Sequence, residues 1–310
     1  MKIMFMGTPE ISAKCLEALI ASGHNVVAVV TGEDKPRGRG NVMTPTPTKT
    51  VALANAIPVY TPKTLRDDEF YSLLSEISPD LICVVAYGKI LPESVIKFPR
   101  LGCVNLHVSL LPKYRGAAPM QRAVMEGESE TGVTVMYMDV GLDTGDIISC
   151  EKFPIGEADD FEYVHDKSVE IGSRLLSDTL YEMEAGRATR TPQDETLATY
   201  AKKIEKEDCK IDFSQDSKVV SARIRGVTPI PGAFTYLNGK MLKVFGVVSA
   251  SGNGNAGEVI EANGVGSGYI TVACGSGAIK ISGVIPEGKG RMSAGDFVRG
   301  RKIAKGDILG

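Results

Sequence analysis

Met1–Thr31 reads MKIMFMGTPEISAKCLEALIASGHNVVAVVT. Its two ends, Lys2–Met6 and Asn25–Thr31, are short apolar runs of strand length. Between them Thr8-Pro9-Glu10 opens a helix, with Thr8 as N-cap, Pro in the first turn and an acid near the positive end. Ile11, Cys15, Leu16 and Leu19 then hold helical spacing as far as Gly23, a natural stop. Strand, helix and strand of this length make a parallel βαβ unit whose strands are buried on both faces. The first turn is GTPE rather than G-x-G-x-x-G, so no dinucleotide site is inferred.

Further strands extend this sheet. Asp80–Tyr87 (DLICVVAY) is a third long apolar run, closed by Gly88-Lys89-Ile90-Leu91-Pro92. Its Gly and Pro let the chain turn sharply where a flat heterocycle could pair with main-chain groups; a plain strand-to-helix turn is the alternative. Gly102–Pro119 (GCVNLHVSLLPKYRGAAP) alternates, with Val104, Leu106 and Val108 on one parity and Asn105, His107 and Ser109 on the other. Alternation marks a strand with two distinct faces, and Pro112 ends it. An amide, an imidazole and a hydroxyl thus gather near a strand's carboxyl end, where ligands of open α/β sheets bind. The wet side of an ordinary sheet reads the same way, but the chain has only three histidines and a charged KYRGAAP turn follows.

Thr131–Met138 is another strand, emptying into Asp139-Val-Gly-Leu-Asp143-Thr-Gly-Asp146. The acids do not fit a calcium loop, which needs alternate ligands and a closing Glu; one Asp reaching back to the adjacent strand is the better reading. Ile147–Pro154 is a last strand and Phe161–Ala185 an amphipathic helix. Gly32–Lys49 (GEDKPRGRGNVMTPTPTK) is a long basic loop, either functional or simply solvated. If functional, Lys35, Arg37 and Arg39 would meet phosphates. Helices follow at Thr50–Ala56, Asp67–Ile77 and Ala118–Glu126, and a short strand at Ile57–Tyr60.

Thr189–Asp208 turns polar and weakly periodic, as a linker does. Beyond it come a basic helix, Lys218–Gly226, and short strands at Leu242–Val248, Gly257–Glu261, Tyr269–Cys274 and Ala278–Ser282 with Gly-rich turns, the pattern of a small barrel or sandwich. Residues 206–310 carry 14 Lys and Arg against 9 Asp and Glu, a net of +5; the rest carry 21 against 29, a net of −8. A basic tail on an acidic body suits a polyanion partner, weakly. At 43% apolar and 24% charged the composition is that of a globular protein. No run approaches the ~20 residues of a membrane span, and MKIMFMG is too short for a signal peptide. Six scattered cysteines without C-x-x-C argue against zinc and disulfides and suit a reducing, cytoplasmic setting.

NLHVSLLPKYRGAAPMQRAV (105–124) together with GVTVMYMDVGLDTGDI (132–147) resembles the folate-dependent formyltransferases. The KPRGRG loop, IDFSQDSKVVSARIRGVTPIPGAFT (211–235) and the barrel-like tail resemble the branch of that family acting on methionyl-tRNA, over Met1 to about Leu309. The resemblance implies an α/β fold with an N-terminal Rossmann-like open sheet (1–188), a linker (189–208) and a small C-terminal β-barrel, OB-like and tRNA-binding (209–310). It implies a formyl donor, 10-formyltetrahydrofolate, no metal, and an acceptor, initiator methionyl-tRNA; a monomer without membrane attachment is expected. The family's catalytic Asn, His and Asp fall on Asn105, His107 and Asp143. Its folate-binding positions fall on Ser109, Leu110, Leu111 and Pro112, and on Tyr87, Gly88 and Ile90 at the neighbouring strand end. Its tRNA-inserting loop falls on Lys35–Lys49, with Arg39 at its key arginine and Lys35 and Arg37 beside it. Family members often carry Trp near positions such as Phe213 and Ile230, and this chain has none.

The residue types suit the reaction. An amine attacking a formyl carbon builds negative charge on oxygen, and one fixed hydrogen-bond donor there is worth about 2.7–4 kcal/mol. Asn105 and His107 could supply two donors, with Asp143 orienting His107 or taking the amine's proton. No Ser or Cys nucleophile is needed. A formyltransferase for a small amine would keep this trio without use for the loop and tail, whereas a non-catalytic RNA-binding protein would leave the trio unexplained.

Overall fold

In the computed structural model, which describes residues 1–37 and 40–310 apart from the side chain of Arg37, β1 (Ile3–Gly7), α1 (Glu10–Ala21) and β2 (Val26–Val30) form the expected parallel unit. Thr8 does not cap α1. Pro9 occupies that position without a side-chain bond, and Thr8 Oγ1 instead donates to the Tyr87 carbonyl at 3.3 Å. Ser12 takes over: its Oγ accepts the Thr8 N–H at 3.2 Å and donates to the Val85 carbonyl. The first turn is thereby tied to a neighbouring strand end.

The stretch expected as a long loop contains a hairpin, β3 (Lys35–Arg37) and β4 (Val42–Thr44), and the start of α2 (Pro47–Ala54). Helix α2 begins earlier than Thr50 because Thr46 Oγ1 accepts the Lys49 N–H and Pro47 fills the first turn. A salt bridge from Lys49 Nζ to Asp34 Oδ2 (2.8 Å) and a hydroxyl contact between Thr31 and Thr46 (2.8 Å) clamp the hairpin's base. Arg39, expected to contact tRNA, lies outside the described residues.

β5 (Val59–Tyr60), α3 (Asp68–Ile77), β6 (Leu81–Val85), α4 (Glu93–Ile96), β7 (Cys103–His107), β8 (Arg115–Gly116), α5 (Pro119–Met125), β9 (Glu130–Tyr137), β10 (Ile147–Pro154) and α6 (Phe161–Glu184) follow. The main sheet has the order β10-β9-β7-β6-β1-β2-β5, parallel from β7 to β5, with β9 antiparallel to β7. On one face Phe5, Val104 and Leu106 pack with Leu16 of α1 and Leu176 and Leu180 of α6. On the other Met4, Ile82, Val84 and Cys103 pack with Phe70 and Leu74 of α3 and Val95 of α4. Period-two alternation along β7 puts Asn105 and His107 on the Cys103 face.

The chain forms two compact units. The first comprises Met1–Gly116, Gly132–Lys152 and Lys167–Tyr200; the second comprises Ala117–Thr131, Phe153–Asp166 and Ala201–Gly310. The second thus takes in α5 and residues 153–166 as well as the C-terminal part, which contains β11 (Tyr200–Ala201, at the boundary), α7 (Ser217–Gly226), β12 (Phe234–Leu237), β13 (Lys240–Ala250), β14 (Val259–Asn263), β15 (Tyr269–Ala273), β16 (Ala278–Pro286), β17 (Met292–Ser293) and α8 (Ala294–Arg299). Helix α5 fits closely on α7: a Cβ on Gly226 would stand 2.3 Å from Met125 Cγ. An Arg122–Asp208 ion pair at 2.7 Å adds to this contact. Strands β12-β13-β16-β15-β14 form an antiparallel sheet, and the C-terminal residues bridge both its edges, Leu309 to Leu237 and Ile308 to Glu258. Among the described residues no helix is long and apolar enough to cross a membrane.

Candidate active site

His107 is the last residue of β7 and is buried. Its Nε2 lies 2.9 Å from the Tyr114 carbonyl. A carbonyl only accepts, so this contact fixes Nε2 as the protonated nitrogen and turns Nδ1 the other way. Nδ1 faces Asp143 Oδ2 at 3.6 Å, too far for a hydrogen bond. That carboxylate oxygen is itself held by the Gly116 N–H at 2.8 Å. Asn105, two residues before His107 and half-buried, shares its face of the strand. The structure therefore brings His107 and Asp143 together beside Asn105.

Asp143 reaches this position through an unusual loop. Its φ is +53°, the left-handed region that a non-glycine residue adopts at a cost of roughly 1–3 kcal/mol. Gly145 has no room for a side chain, since a Cβ there would stand 1.9 Å from the Tyr137 carbonyl oxygen. Gln193 Nε2 donates to the carbonyls of Asp143 (2.8 Å) and Gly145 (2.7 Å). Gln193 Oε1 in turn accepts from Arg115 Nη2 at 2.8 Å and Nε at 3.1 Å. Arg115 is 0% exposed and makes a two-pronged contact with Glu195 at 2.8 and 2.7 Å. Hydrogen bonding to Arg115 holds the Glu195 carboxyl below the usual carboxylate range and Arg115 above the usual guanidinium range. Residues 193–195 were expected in a linker; in the fold they belong to the first unit and brace this loop.

Ser109 leaves the strand. Its Oγ is buried and donates to the Lys113 carbonyl at 2.7 Å, while the Ser109 carbonyl accepts from Thr134 Oγ1 at 2.7 Å. Leu110, Leu111 and Pro112 form the next turn, with a cis Leu111-Pro112 bond and Leu111 buried. Gly132 admits this turn, because a Cβ on it would meet Leu110 Cδ2 at 2.5 Å. Tyr87, Gly88 and Ile90 follow β6, whose Val84 is paired with Asn105. Gly88 has φ +83°, and Ile90 is 86% exposed. The Tyr87 hydroxyl is buried without a hydrogen bond, and burial pushes its pKa up to about 12. Lys35 sits in the β3–β4 hairpin, as does the backbone of Arg37.

A model of the formyl transferase family matches residues 1–180, and one of the formyl transferase C-terminal domain matches residues 203–302. The chain belongs to the formyl transferase family. This formyl transferase is 46% identical to the methionyl-tRNA formyltransferase of Citrifermentans bemidjiense over 310 residues, covering 100% of this chain and 96% of the relative. The enzyme of the same name from Moorella thermoacetica is also 46% identical, over 100% of this chain and 99% of its own. Among solved structures, HypX from Aquifex aeolicus superposes with a TM-score of 0.66 at 21% identity, over 99% of this chain and 49% of its own; that likeness concerns the fold.

The resemblance-based reading left out Arg115, Gln193 and Glu195. An Arg beside a Gly in a turn reads as a solvated charge, and nothing in the polar 189–208 stretch marks Gln193. Only the fold brings residues 78 and 80 positions apart into contact.

Proposed function

We propose that this formyl transferase moves the formyl group of 10-formyltetrahydrofolate to the amino group of methionine on initiator methionyl-tRNA. Full-length identity of 46% to methionyl-tRNA formyltransferases supports the choice of acceptor. The observation that carries the chemistry is the His107–Asp143 pair beside Asn105. As the amine adds to the formyl carbon and the bond from that carbon to the folate nitrogen breaks, the amine loses one proton and the folate nitrogen gains one. Asn105 donates its side-chain amide to the oxygen that becomes negative. The His107 ring gives its Nε2–H to Tyr114, so Nδ1 meets the reaction as a lone pair and donates to that oxygen only once it has taken up the amine's proton. Asp143, facing Nδ1 at 3.6 Å, takes the amine's proton directly or balances the imidazolium that forms, and the proton then passes to the folate nitrogen. Transfer is direct, with no acyl-enzyme.

Ser109, Leu110, Leu111 and Pro112 form one wall for the folate, and Tyr87, Gly88 and Ile90 another. An unbonded buried hydroxyl at Tyr87 fits a ligand with hydrogen-bonding edges. Lys35, Arg37 and Arg39 contact the tRNA backbone, and residues 209–310 form the main part of a tRNA-binding domain. The enzyme works as a cytoplasmic monomer.

The test is formyl transfer by the purified protein and two variants. Formyl-methionyl-tRNA is expected as product, with kcat lowered by about 10²–10⁴-fold in His107→Ala and Asp143→Ala and folding retained. Near-normal turnover in either variant removes that residue from the mechanism.

A further inference from the structure

We infer that Gln193 is a positioning residue for formyl transfer, holding the Asp143 loop so that the carboxylate stays against His107; this rests on the function proposed above. Asp143 is a non-glycine residue at φ +53°, and Gly145 passes so close to the Tyr137 carbonyl that a Cβ on it would stand 1.9 Å from the oxygen. Such a loop keeps its shape only where its surroundings over-determine it. Gln193 provides that grip by donating both amide hydrogens to the carbonyls on either side of Thr144.

Its orientation is not free to reverse. The guanidinium of Arg115 only donates, so Gln193 must turn its oxygen to Arg115 and its nitrogen to the loop. Arg115 is locked in turn, fully buried with Glu195 along its other edge. The residue after it, Gly116, donates its N–H to Asp143 Oδ2. Strand β8 thus reaches Asp143 by two routes, at the carboxylate through Gly116 and at the backbone through Arg115 and Gln193. The 3.6 Å separation of Asp143 from His107 is set by these contacts, and a shift of about 1 Å at a reacting group can cost 10²-fold in rate.

A double-mutant cycle separates positioning from simple bracing. Gln193→Glu keeps an acceptor for Arg115 and loses both donors to the loop. Expected is a fall in kcat of about tenfold or more with KM for both substrates within about twofold. Placed in Asp143→Asn, the same change should lower the residual single-turnover rate by less than about twofold, because its effect passes through the missing carboxylate. A kcat within about twofold of wild type overturns the inference, as does an equal further loss in the Asp143→Asn background. Gln193→Met, near-isosteric and uncharged, stands in if Gln193→Glu does not fold. A wild type without turnover overturns both this inference and the proposed function; an active wild type indifferent to Gln193 overturns this inference alone.

Discussion

His24 shows how a single buried ring couples folding to pH. It is 8% exposed, its Nε2 contacts the Ser177 carbonyl and hydroxyl at 3.1 Å, and its ring lies 4.2 Å from that of Tyr181. Burial, the largest cause, lowers its pKa below the ordinary histidine value of 6.5. The unfolded chain therefore binds a proton at this residue that the folded chain resists. Stability from His24 is fully present above about pH 6.5 and falls as the pH drops below it. Urea unfolding at about pH 7.5 and 5.5 should show a smaller loss in His24→Gln than in wild type; equal losses would remove His24 from the linkage. At the same scale, the alternation of residues 104–109 made Asn105 and His107 legible, because period two is a property of neighbouring residues. Ser109 fell outside it, since the strand ends at His107 and the hydroxyl caps the following turn. Asp143 was legible as an acid reaching back toward the adjacent strand, but the hold on it from Gln193 was not.

The β3–β4 hairpin is the element on which tRNA binding is most open to test. Its strands are three residues each, one contains Pro36, and neither is long enough for a periodic pattern. For that reason the sequence reads as loop, although the Thr46-Pro47 helix start was written in it. Lys35→Ala and Arg39→Ala are each expected to raise KM for methionyl-tRNA and to lower the salt slope of binding by about one, as the loss of one phosphate contact does. A salt slope unchanged in both variants would detach the hairpin from the tRNA. Strands β13 and β16 carry a related lesson. Gly283 reads as the stop of the expected Ala278–Ser282 strand, yet it lies inside the ladder, where a Cβ on it would meet the Phe245 ring at 2.0 Å. Arg291 covers the same ring at 3.8 Å. A glycine admitting a cross-strand aromatic cannot be told from a turn glycine until the register is known.

At the scale of the molecule, the open sheet and the antiparallel C-terminal sheet were legible because each has its own rhythm of apolar runs and turns. The assignment of α5 and residues 153–166 to the second unit was not, since it depends on contacts such as Met125 with Gly226 that no local pattern announces. The difference in charge between the two parts agrees with an anionic macromolecule as the acceptor, whereas the paired His107 and Asp143 fit acyl transfer to any amine. Substrate choice is therefore where the proposed function is most exposed. The decisive measurement gives the purified protein 10-formyltetrahydrofolate with methionyl initiator tRNA, free methionine and glycinamide ribonucleotide in competition, and reads the formylated products by mass. Formyl-methionyl-tRNA as the sole product is the expected result. Formylation of a small amine in its place would contradict it, leaving Asn105, His107 and Asp143 as the catalytic group of a different transferase.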